Sequence, residues 1–148
     1  MTQPLREALR QCERHVAVLQ SALADLPSPL AVEHAASSDP SLVRLLDQFI
    51  LRFVKLQDTL GEHVLRRFAV EVLGEPVSDL PLVDVLNRLE RFGYLDTAVW
   101  ARWRAPRNSL THEYPEHPEI RAALLNEAVA ATSGLGMLVA RIAERSAG

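Results

Sequence analysis

Residues 38–73 read SDPSLVRLLDQFILRFVKLQDTLGEHVLRRFAVEVL, and this stretch decides the fold. Ser38-Asp39-Pro40 is a helix start, with an N-cap side chain followed by proline in the first turn. No breaker follows until Gly74-Glu75-Pro76. Leu46, Phe49, Phe53, Leu56, Leu60 and Val64 recur at spacings of three and four, a helical seam that Ile50, Leu65 and Phe68 widen. At 1.5 Å per residue the helix is roughly 50 Å long, more than a small bundle needs, so its excess length suits a partner or a second subunit. Gly61, in the middle, either weakens the helix or lets a neighbour approach closely. His63 lies near the seam and reads as a packed histidine.

Working outward, Leu5, Leu9, Cys12, Val16, Leu19, Leu23 and Leu26 form the seam of an N-terminal helix that Pro27 and Pro29 end. His15 sits beside that seam and reads as a surface or flank residue. Residues 31–38 are small, polar and without period, and read as a mobile linker. Downstream, Asp79-Leu80-Pro81 starts a short helix carrying Leu82, Val85, Leu86 and Leu89, closed by Gly93. Asp96-Thr97 caps the next helix, whose stripe is Trp100, Trp103, Arg107, Leu110 and Tyr114, stopped by Pro115. A last helix from about Glu119 turns Ile120, Leu124, Ala128, Ala131, Leu135, Leu138 and Ile142 inward, with Gly134 and Gly136 allowing close approach. No strand pattern or internal repeat is present. The expected fold is all-α: an up-down bundle of four main helices plus one short helix, a single domain over residues 1–148.

Composition narrows the class. The chain is 48% hydrophobic and 24% charged, with a net charge of −3, which argues against a generic nucleic-acid binder. No apolar run is long enough to span a membrane and the N-terminus does not read as a signal peptide, so a cytoplasmic protein is expected. A lone Cys12 excludes an internal disulfide and a cysteine-built zinc site; on the seam, it reads as a small buried hydrophobe. Lys55 is the only lysine beside fifteen arginines, a skew that suits bidentate phosphate contacts and equally follows from coding bias.

Glycine-rich phosphate loops, Gly-x-Ser-x-Gly, His-Glu-x-x-His and inward-facing Glu-x-x-His pairs are all missing. The cluster His112-Glu113-Glu116-His117-Glu119 invites a metal, but Pro115 and Pro118 break the register that would align it, and no metal or cofactor is expected. What stands out is Arg107-Asn108-Ser109-Leu110-Thr111-His112-Glu113-Tyr114. On a continuing helix Asn108 and His112 share a face, and Arg107, Thr111 and Tyr114 share the neighbouring one. The imidazole falls where helix carbonyls favour its protonated form. Arg107 interrupts an otherwise apolar or aromatic line, so it needs a counter-charge, a cleft or another chain. Pro106 removes a donor and predicts a kink one residue earlier.

Arg107-Asn108, then His112 and Tyr114, resembles the R-x4-6-H motif of the HEPN superfamily, in the R-x4-H-x-Y form of the HepT-like toxins. Arg52-Phe53-Val54-Lys55-Leu56-Gln57-Asp58, Leu86-Asn87-Arg88-Leu89-Glu90 and Trp100 support it, and the N-terminal helix adds little. The resemblance implies a homodimeric, metal-independent endoribonuclease toxin, inhibited by a cognate nucleotidyltransferase antitoxin that in some members adenylylates the tyrosine matching Tyr114. It implies that His112 moves the proton, that Arg107 holds the scissile phosphate and that Asn108 orients one of them, with two copies of the motif meeting in one cleft. The local excess of Arg88, Arg91, Arg102, Arg104 and Arg107 over Glu90 and Asp96 would supply a basic cleft, with Arg102 and Arg104 touching RNA. The alternative is a non-catalytic adaptor that presents Tyr114 to a nucleotidyltransferase partner. The long second helix and the Trp100-Trp103 stripe are the candidates for subunit contact.

Overall fold

The computed structural model describes residues 1–112 and 114–148, every residue except Glu113. Among the described residues the regular elements are all helical. They are α1 (Gln3–Asp25), α2 (Val32–Ala35), α3 (40–72), α4 (Leu82–Arg91), α5 (Thr97–Ser109) and α6 (Pro118–Ala147). α3 is one rod with three changes of pitch: α-helical over Pro40–Thr59, π-helical over Leu60–Val64, α-helical over Leu65–Arg67 and π-helical over Phe68–Val72. The expected seam is the buried one, since Leu46, Phe49, Phe53, Leu56, Leu60, Val64, Leu65 and Phe68 are all in the core. Each of those three phenylalanines contributes about 1.5–3 kcal/mol by leaving water.

Side-chain pairs set the direction of every neighbour. Thr2 Oγ1 donates to the Glu71 carboxylate at 2.9 and 3.0 Å, and Arg52 Nη1 donates to His15 Nδ1 at 3.1 Å, so α1 runs antiparallel to α3. Gln57 meets Trp103 and Gly61 faces Trp100, so α5 is also antiparallel to α3. Trp103 lies on Gly134 and Arg141 reaches Gly93 and Tyr94, which runs α6 antiparallel to α5. Gly136 faces Val16, closing the ring against α1. The four main helices therefore alternate up and down around one core, with α4 as the short addition.

Several expectations change. Residues 31–38 are no free linker: Val32–Ala35 forms one helical turn, Leu30 and Ala35 are buried, and α6 holds the segment. Asn126 accepts from Leu30 N at 3.0 Å and donates to Leu30 O at 2.8 Å, while Arg121 donates to Ala35 O. These fixed amide partners were hidden from a periodicity reading. His15 is buried against Arg52, not on the surface, and His63 is exposed, beside Glu62, not packed. The π turns rotate the rod's register just there, which carries His63 off the seam. At the start of α6, Ala122 and Leu125 point inward and Ile120 is exposed. Trp100 is buried within its own chain and so is not free for a subunit contact.

α6 also corrects the expectation that no apolar run could span a membrane. It is long and apolar enough to cross one by length and composition. In this structure its apolar face, from Ala122 to Ile142, is packed in the bundle core. Cys12 sits fully buried with its thiol pushed up to about 12, first by burial and then by Glu13, which makes it inert packing.

Gly134 is required by the close approach of α5. A Cβ there would run into the Trp103 ring, and the indole cannot yield without leaving the α5–α6 seam. Gly134→Ala is expected to destabilise the fold by about 1–3 kcal/mol in chemical denaturation, because overpacking outweighs the ~1 kcal/mol gained in helix propensity. Gly136→Ala, whose Cβ would meet Val16 at 3.4 Å, is expected to lie near zero or be stabilising.

Candidate functional site

The site grows from the way α5 crosses α3. Asp96 caps α5 by accepting from Ala98 N at 2.8 Å and Val99 N at 3.3 Å. Pro106 lies inside the helix and is buried. It has no N–H for the Arg102 carbonyl, and a proline also loosens the neighbouring turn. The buried Gln57 reaches the next carbonyl from α3: its Nε2 donates to Trp103 O at 3.0 Å, which ties the turn beside the proline to α3. Its Oε1 is left buried without a partner. The helix continues through Pro106 to Ser109 instead of breaking.

One turn past that anchor lies the charged cluster. Arg107 donates from Nε to Asp58 Oδ1 at 3.0 Å and from Nη2 to Oδ2 at 2.7 Å, a side-on bidentate pair. Arg104 Nη1 donates to the same Oδ1 at 3.2 Å. Asp58 is the counter-charge that Arg107 needed on its otherwise apolar stripe. The hydrogen bond from Arg107 is the main cause that holds the Asp58 carboxyl below its ordinary value, against a smaller opposing effect of burial; the Arg107 charge and then Arg104 add to the lowering. The same bond raises Arg107, burial opposes it, and the charges of Asp58 and Glu62 reinforce it. Two guanidiniums on one carboxylate leave the cluster cationic. The Nη1–Nη2 edge of Arg107 is unengaged among the described residues, which leaves a second fork for an anion.

The remaining motif residues lie in the turn after α5. Leu110 N donates to Pro106 O at 2.8 Å as Leu110 drops into the core, and His112 N donates to Ser109 O at 3.1 Å. The Thr111 hydroxyl donates to Asn108 O at 2.9 Å, a side-chain bond that competes with further helix. The helix thus ends well before Pro115, and Asn108 and His112 do not share a helical face as expected. Tyr114 sits at φ +46°, the left-handed region, directly before Pro115. His112 is exposed, and its ring meets the Tyr114 ring edge-on with centroids 6.5 Å apart.

The structure therefore assembles the expected residues as two groups. Arg104 and Arg107 gather on Asp58, and His112 and Tyr114 gather in the turn. Among the described residues no hydrogen bond joins the two groups, and the exposed Asn108 side chain bonds to neither. Arg102 and Arg104 are not brought together: Arg102 lies on the other side of α5, in a groove of about 480 Å³ shared with Trp103, Ala105, Glu127, Ala130 and Ala131. Residues 102 and 104 are two apart, about 200° around a helix, so one face cannot hold both. Arg88 pairs with Glu75 at 2.7 Å. Of the acidic cluster around His112, Glu113 lies outside the described residues; among those described, no three metal-ligating side chains converge. Asp58 and Gln57 are the site residues that sequence reasoning did not single out as such. The signal for Asp58 was indirect, since an arginine on an apolar stripe needs an acid; nothing in the spacing pointed to Gln57.

Comparison with known proteins finds no matching family model, no similar curated protein and no matching solved structure.

Asp58→Asn keeps the shape and removes the charge. At neutral pH it is expected to cost about 1.5–3 kcal/mol, the range for a hydrogen bond to a charged partner. The unfolded carboxyl titrates near 3.8 and the folded one lower, so the wild-type advantage is complete above 3.8 and disappears as pH falls through the lowered value. Denaturation of both proteins along an acid series checks this; a gap that widens in acid would contradict it.

Proposed function

We propose that this chain is a HEPN-type toxin: a metal-independent endoribonuclease that works as a homodimer and is restrained by a nucleotidyltransferase antitoxin. The observation that carries the reading is Arg107, anchored side-on by Asp58 with its other fork unengaged, and followed within the same short stretch by the exposed His112. A guanidinium oriented in this way is suited to a phosphodiester, and a nearby exposed imidazole is suited to proton transfer.

The reaction would run through the RNA's own ribose. A base takes the proton from a 2′-hydroxyl, the freed oxygen attacks phosphorus, and the 5′-oxygen leaves with a proton from an acid. The products are a 2′,3′-cyclic phosphate and a 5′-hydroxyl. His112 is one proton carrier and the same residue of a second copy is the other, because one chain has a single motif histidine. Arg107 holds the phosphate oxygens as charge builds on them, and Asn108 orients the phosphate or the imidazole. The nucleotidyltransferase would join the Tyr114 phenol oxygen to the α-phosphorus of ATP and release pyrophosphate. The resulting AMP group places a bulky anion beside His112 and bars RNA. A second reading, an adaptor without nuclease activity, draws on Tyr114 alone, a half-buried residue in a left-handed turn whose role there does not require Arg107 to meet a phosphate.

Purified protein is expected to cleave single-stranded RNA in excess chelator and leave cyclic-phosphate ends. His112→Ala, prepared identically, is expected to lose about 10²–10⁴-fold in rate. Cleavage that survives this substitution, or that requires a divalent ion, overturns the reading. A stable nucleotidyltransferase complex without cleavage by the free chain selects the adaptor.

A further inference from the structure

On the opposite flank of α3 from α5, a second group of cations stands without counter-charge. Arg52 is half-buried and donates to Nδ1 of the buried His15 at 3.1 Å. Accepting at Nδ1 fixes the ring as the neutral tautomer with its proton on Nε2. His15 therefore orients the guanidinium and cancels none of its charge. Burial first, and then the charges of Arg52, Lys55 and Arg14, lower the imidazole pKa, so all three cations act on one ring. Arg14 and Lys55 are exposed. Among the described residues none of the three pairs with a carboxylate. Asp47, Glu13 and Asp58 are the acids on the adjoining turns; Asp47 and Glu13 are exposed and carry no ion pair among the described residues, and Asp58 is taken by Arg104 and Arg107. This concentration of positive charge is local, because the chain as a whole carries −3.

The helix register links this group to the site already described. Lys55 is one turn from Arg52 and one turn from Asp58, spacings that place side chains about 5–6 Å apart on a helix. Asp58 in turn holds Arg104 and Arg107. Across α3 the order is Arg14 and Arg52 on the α1 side, Lys55 on the crest, then Arg104 and Arg107 on the α5 side. We infer that Arg14, Arg52 and Lys55 form a phosphate-binding strip that carries a single-stranded RNA backbone across α3 to Arg107. This rests on the ribonuclease reading for the identity of the polyanion. It assigns a binding role to the lone lysine and to a histidine outside the motif.

The strip is read by binding, apart from cleavage. A fluorescent single-stranded RNA with every 2′-hydroxyl methylated lacks the attacking oxygen, so its anisotropy reports affinity on the wild-type protein. Removing one cation that neutralises a phosphate of a single strand lowers the slope of log affinity against log salt by about 0.7. The exposed pair Arg14→Gln/Lys55→Gln is expected to lower it by about 1.4 and to raise KM on unmodified RNA without changing kcat. Circular dichroism checks that the double variant is folded. Unchanged slope and affinity in that variant, or no binding by the wild type, overturns the strip. Loss of polyaspartate binding with RNA binding intact marks a docking face for an acidic protein and also overturns it. The two readings fail separately: wild type that binds with the expected slope change but never cleaves sinks only the nuclease, whereas normal cleavage with an unchanged slope sinks only the strip.

Discussion

One carboxylate on α3, shared by two guanidiniums from α5, governs how the functional end of this bundle is built. A charge on the apolar stripe of α5 would oppose burial, and Asp58 removes that opposition by taking Arg107 side-on and Arg104 at one oxygen. The pair is only partly buried, so desolvation stays moderate and the bidentate geometry gives direction as well as attraction. Everything downstream on α5 inherits its position from that contact. A guanidinium held by one edge is a fixed instrument, and the turn that follows starts from a defined place.

Pro106 makes the arrangement depend on α3 a second time. A proline inside a helix would ordinarily cost about 3 kcal/mol or more and bend the chain. Here the ring is buried, Gln57 donates to the neighbouring Trp103 carbonyl, and Trp103 lies over the one glycine of α6 that has room for it. Successive residues Gln57 and Asp58 thus handle the backbone and the charge of the same helical turn of α5. The unpaired Gln57 Oε1 is the residual cost of placing an amide where only its donor is needed.

The cationic character of the site is also a property of arrangement. The chain is acidic overall, and many of its arginines serve structure: Arg66 donates to the Val77 carbonyl, Arg88 pairs with Glu75, and Arg141 caps the turn at Gly93 while lying over Tyr94. Arg107 with Arg104, and Arg52 with Lys55 and Arg14, are different in kind, because each group keeps net charge after its contacts are made. They lie on opposite flanks of α3, one toward α1 and the other toward α5.

The sequence by itself determined the four main helices, the short α4 and most of the face each one buries, because periodic apolar spacing, caps and glycine stops act within a few residues along the chain. It also located the Arg107–Tyr114 stretch and the need for a counter-charge on Arg107. Tertiary structure alone decided what met that need, since Asp58 and Arg107 are far apart in sequence and adjacent only once α5 lies antiparallel on α3. It likewise decided the burial of His15, the exposure of His63 within the π turn and the ordered segment around α2. The physical reason is common to all of these: a side chain's partners across helices depend on crossing geometry and pitch, and neither is written in the spacing of residues along one helix.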